Sequence, residues 1–195
     1  MKQIEIEPNF QSWQIAARDA LENQLRPNEI VWNTPDAQPP LGLFENVSGK
    51  DFPTILELPN GNTQKRIAVI TRATFRVPKA FVEQARVVAL HSDSLKWSLL
   101  YRVLWRLTQS DPKLLQIPTD ADVIALNHFA KEVHKDAYRM RQYIRFRETK
   151  LEGEPWFVAW YEPEHDSVHL NQNFFADRFS NMRWSILTPL RSMHW

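Results

Sequence analysis

One change of apolar period limits what this chain can become. From Pro78 to Gln142 apolar residues recur at helical spacing, whereas beyond it Ile144 and Phe146 face one way and Tyr143, Arg145 and Arg147 the other. Helical spacing buries a stripe and strict alternation buries one face of a sheet, so a helical part is followed by a sheet part. The expected class is α+β, with a mainly antiparallel sheet in the C-terminal part covered by several helices. Four sheet strands are predicted, at Gln142–Glu148, Trp156–Tyr161, His165–Leu170 and Met182–Leu187, with a turn at Glu152-Gly153-Glu154-Pro155 and a break at Pro163.

The helices before them are marked by stripes and caps. Asn9 can cap a helix through about Leu25 with Trp13, Ala17, Ala20 and Leu21 on its apolar side, between short strands at Lys2–Ile6 and Glu29–Trp32. Pro78 suits the first residue of a second helix carrying Phe81, Val82, Ala85, Val88 and Ala89. The third, Leu95 to Leu107, is apolar except for Ser98, Arg102 and Arg106, the pattern of a helix buried on most sides. A fourth starts at Thr119 with Asp122 as its capping-box acid and carries Leu126, Ala130, Val133, Ala137 and Met140. Asn171 can cap a short helix containing Phe174, Phe175 and Phe179. Residues 34–65 hold most of the glycines and five prolines and read as a long irregular loop inside one domain spanning 1–195.

Composition removes several chemistries. The chain has no cysteine, which excludes disulfides, a thiolate nucleophile and any cysteine-held zinc or iron–sulfur cluster of its own. There is no Gly-rich phosphate loop, nucleophile elbow or dinucleotide fingerprint, and no cofactor is implied. No run is apolar enough to cross a bilayer and the start lacks a signal-peptide core, so a cytoplasmic protein without a membrane partner is expected. Charge is uneven: residues 1–60 hold 4 Lys/Arg against 9 Asp/Glu, so the later part is the basic one.

Two constellations remain as candidates. Lys131, Lys135 and Arg139 share one face of the fourth helix and are continued by Arg145 and Arg147, with Tyr138 and Tyr143 between them. Cations beside aromatic rings suit a phosphate backbone with stacked bases, though a solvated helix face has the same pattern. The second is His165 with Glu162, Glu164 and His169. On a strand both histidines would share a side, and a carboxylate from the Pro163 turn could orient the His165 imidazole for acid/base work, in a cleft completed by Arg178 and Trp184. Its spacing matches no metal signature, and a turn histidine bonded to backbone is the plainer alternative. Of the aromatic set Trp97, Tyr101, Trp105, Trp156, Trp160, Trp184 and Trp195, core packing accounts for most, with one or two left to line a pocket.

The stretches Met140-Arg141, Arg145-Phe146-Arg147, Phe157 to His165, Phe174-Phe175, Arg178-Phe179, Asn181 to Pro189 and His194-Trp195, with Ala16-Ala17-Arg18, Val31-Trp32 and Leu100 to Leu107 before them, resemble over nearly the whole chain a bacterial domain of unassigned function. That domain occurs fused ahead of an X-type uracil-DNA glycosylase domain, or alone beside a putative radical-SAM DNA-repair protein. The resemblance implies a DNA-repair context and such a domain or protein as partner. It implies no reaction, since the glycosylase domain with its iron–sulfur cysteines lies outside this chain. The expected function is a repair-associated accessory domain that binds DNA. The alternatives are an enzyme acting on a damaged nucleobase, with His165 as acid/base, and a pure protein-interaction adaptor.

Overall fold

The computed structural model describes residues 1–35, 75–151 and 153–195, and the loop expected at 34–65 lies almost wholly outside them. Strand β1 (Lys2–Glu5) pairs in parallel with β2 (Ile30–Asn33), and helix α1 (Phe10–Glu22) crosses between them. Asn9 caps α1: its side-chain oxygen accepts from the Ser12 amide at 2.8 Å, while the Ser12 hydroxyl accepts from the Glu7 amide at 3.0 Å. The helix ends on Gln24 at φ 53°, with the Leu25 amide reaching back to the Ala20 carbonyl, a left-handed stop normally given to glycine.

Helices α2 (Lys79–Val88), α3 (Leu95–Gln109) and α4 (Ala121–Tyr143) follow. The stripes behave as their spacing demands: Trp13, Trp97 and Tyr101 lie in one core with Phe81, Leu100 and Leu126. The polar stripe of α3 is spent on α4. Arg102 meets Asp122 at 2.7 Å, and Arg106 holds Asp120 at 2.7 Å and Asp122 at 2.8 Å. Asp120 is also the cap of α4, accepting from the Asp122 and Val123 amides, so the cap falls one residue after the expected Thr119 and Asp122 serves as an ion-pair partner.

A second core forms on the far half of α4, where Met140 and Ile144 meet Ala159, Phe175, Trp184 and Ile186. Its sheet has the order β3 (Arg147–Leu151), β4 (Glu154–Trp160), β5 (Trp184–Leu187), β6 (Ser192–His194). The outer pairs are antiparallel and the central β4–β5 pair is parallel, so the sheet is mixed, with helices on one face. A two-residue connection with Gly153 at φ 87° closes the β3–β4 hairpin.

Two strand expectations need correction. The first begins at Arg147 because α4 runs on through Gln142 and Tyr143. His165–Leu170 is not a strand: Val168–Asn171 forms a 3-10 turn leading into α5 (Gln172–Arg178). The cause lies on α4, where buried Asp136 accepts from the Glu164 and His165 amides, each at 3.2 Å, and from the Ser167 hydroxyl at 2.6 Å. Those bonds curl the chain over α4, and the long connection through α5 is what lets β5 run parallel to β4. Asn171 stands at the start of α5, yet its side chain is used between elements, donating to the Ala137 carbonyl at 2.9 Å and accepting from Arg141 at 2.6 Å.

The sheet alternates cleanly. Phe157, Ala159, Trp184, Ile186 and Met193 face the second core, while Trp156, Val158 and Trp160 stand on the opposite face, outside both cores.

Candidate nucleic-acid interface

Helical repeat puts Lys131 and Lys135 one turn apart on the outer face of α4, with Tyr138 58% exposed and Tyr143 65% exposed farther along. Arg139 is held by Glu164 at 2.9 Å. Arg145 folds back on the end of α4, donating to the Gln142 carbonyl at 2.9 Å and the Ile144 carbonyl at 2.8 Å, where a cation complements the helix C-terminus. Lys131, Lys135 and Arg147 are exposed and form no ion pair among the described residues. Lys131, Lys135 and Arg139 thus lie on α4 and Arg147 opens β3, and only part of the predicted track's charge is uncommitted.

His165 takes neighbours that the sequence did not suggest. It is buried, and its ring stacks on His91 with centroids 4.1 Å apart, His91 in turn stacking on Phe129 at 4.3 Å. Its Nδ1 accepts from the Ser92 amide at 3.2 Å, so the neutral ring carries its proton on Nε2. The Ser92 hydroxyl lies 3.1 Å from the same nitrogen. The same logic fixes His91: Nδ1 accepts from the Asp93 amide at 3.0 Å, and Nε2 donates to Glu132 at 3.0 Å. Lys96, pushed down to about 8 by burial, donates to the His91 carbonyl beneath this stack.

The partners expected for His165 are engaged elsewhere. Glu162 accepts from the Trp160 indole at 2.9 Å and Glu164 pairs with Arg139. The Arg178 guanidinium sits over Phe179, 5.5 Å from the ring centre, and Trp184 packs with Phe146 and Phe175 in the second core. His169 is exposed on the 3-10 turn. His91, Glu132 and Asp136 had no signal at short spacing, since each acts across dozens of residues. Among the described residues no group of three or more His, Asp or Glu is arranged to hold a metal ion.

Burial, then the neighbouring His91, lowers the His165 pKa below 6.5, and partial desolvation lowers those of His169 and His194 in the same direction although both residues keep exposed surface. A histidine whose folded pKa is depressed takes its proton first in the unfolded chain. Stability contributed by the neutral rings is therefore present above about 6.5 and is lost as pH falls below it. Urea denaturation followed by far-UV circular dichroism should give a lower midpoint at about pH 5.5 than at about pH 7.5. An equal or higher midpoint in acid contradicts this assignment.

Comparison with known proteins adds one match: a family model described as a domain of unknown function, DUF4130, covers residues 94–195. That region holds α3, α4, the whole cationic track and the second sheet. No curated protein and no solved structure matches the chain. Among the described residues no helix is long and apolar enough to cross a membrane.

Proposed function

The chain belongs to the DUF4130 family of unknown function, whose matched region carries the α4–β3 residues, and we propose that it binds nucleic acid through them as an accessory module in DNA repair. The observation that carries the reading is the exposed set Lys131, Lys135 and Arg147 without ion-pair partners among the described residues, beside exposed Tyr138 and Tyr143. Uncommitted cations release counterions from phosphates, and neighbouring tyrosine rings add a surface for bases. The repair context, with a glycosylase domain or radical-SAM protein as the partner, rests on the motif resemblance.

The catalytic alternative lacks an observation in its favour. An acid/base imidazole must reach a substrate proton, whereas His165 is buried with Nδ1 occupied and both candidate carboxylates bonded to other groups. The adaptor alternative predicts that track cations are dispensable for nucleic-acid binding.

Changing Lys131 and Lys135 together to Ala tests the reading. Binding of a labelled oligonucleotide, measured by anisotropy across a salt series, should weaken to a similar degree on unrelated sequences, and the salt slope should fall by about two. An unchanged slope, or no binding by the parent protein at low salt, removes it.

A further inference from the structure

The face of the second sheet that turns away from the helices is organised for more than solvation. Register runs a straight row across all four strands, Arg147 opposite Val158, Val158 opposite Ser185, and Ser185 opposite His194. Trp156 and Trp160 flank that row on β4, about 13 Å apart at the rise of a strand. Trp160 is 49% exposed.

Both indoles are pinned by their N–H groups. Trp156 donates to the Ser185 hydroxyl oxygen at 2.8 Å, and Trp160 donates to Glu162 at 2.9 Å. An indole nitrogen can only donate, so the Ser185 oxygen accepts and its own hydrogen turns to His194 Nδ1, 2.8 Å away. The neutral His194 ring then carries its proton on Nε2, which has no partner among the described residues. Two rings are thus held with little freedom left to lose, next to a donor of defined position and, at the first residue of the edge strand, a guanidinium.

Resting on the nucleic-acid reading above, we infer that this sheet face, on which Trp160 is exposed and Trp156 half-buried and which no helix among the described residues covers, binds the unstacked bases of a single strand, which makes single-stranded nucleic acid the substrate class. Ring faces stack on a base only once it has left its duplex neighbours, so the platform separates single strand from duplex. Charge complementarity selects a polyanion over an apolar peptide, because Arg147 lies within the face and Arg145 and Tyr143 lead from it to the α4 track. His194 Nε2 supplies a hydrogen bond to an acceptor on a base edge.

The test compares a labelled single strand of mixed sequence with the same sequence as duplex. Trp156→Ala/Trp160→Ala should weaken single-strand binding roughly tenfold or more while changing duplex binding little. Trp160→Ala alone, which removes only an exposed side chain bonded to Glu162, should show a smaller loss with the same selectivity and guards against misfolding. Trp156→Phe/Trp160→Phe keeps the rings and should recover most of the affinity. Tryptophan variants that bind the single strand like the parent, while Lys131→Ala/Lys135→Ala does not, overturn the platform and leave the track standing. Equal loss on both substrates also overturns it, as base stacking cannot act on an intact duplex. No binding of either substrate by the parent removes the track reading as well.

Discussion

Asp136→Ala should destabilise the protein by about 3–5 kcal/mol, because it strands the buried His165 amide and Ser167 hydroxyl and the half-buried Glu164 amide against α4. Each donor left unsatisfied costs about 1–3 kcal/mol, and the small cavity left by the carboxylate admits little water to replace it. For a chain of this size the melting temperature should fall by roughly 10 °C. Asn at this position keeps one acceptor oxygen but turns an NH2 toward a donor, so it should recover part of the loss. The check is the pair of melts with hydrogen exchange at Glu164 and His165. An Ala variant as stable as the parent, with those amides still protected, would show that the loop holds its curl without Asp136.

Trp184→Ala is the second large effect, at about 3–5 kcal/mol, since the indole fills the middle of the second core with Phe146 and Phe175 each 6.1 Å away. Its indole N–H is buried without a partner among the described residues. Trp184→Phe therefore trades lost volume against removal of an unpaired donor, and should cost under about 2 kcal/mol. Denaturant midpoints of the two variants decide between a core role and a pocket role. A Trp184→Ala protein of parental stability would return the residue to the ligand-lining part first expected of it.

What could be read in the sequence was local. Stripes such as Trp13–Ala17–Ala20–Leu21, and the cap Asn9, are set within a few residues and stand in the structure as their spacing demands. The Ser98–Arg102–Arg106 stripe was visible as polar, but its partners Asp120 and Asp122 belong to another helix. His165–Leu170 has the alternation of a strand, and only Asp136, far back in the chain, makes it turn. Strand β6 is three residues long, too short for any period to show, and without it the Ser185–His194 bond is invisible. Trp156 and Trp160 were assigned mainly to a core because alternation tells which residues share a face without telling which face is covered.

The parallel β4–β5 pair also orders events in time. The β3–β4 hairpin closes through a two-residue connection and β5–β6 through a short turn, so each half-sheet can form locally and fast. Joining them requires residues 161–183 to be folded back first, a loop closure whose entropy is met before any contact between the halves repays it. The row from Arg147 to His194 crosses that seam. On the refolding pathway the aromatic face is therefore expected to assemble after the helices that support it, so the Trp156 and Trp160 fluorescence signal should recover later than the helical signal.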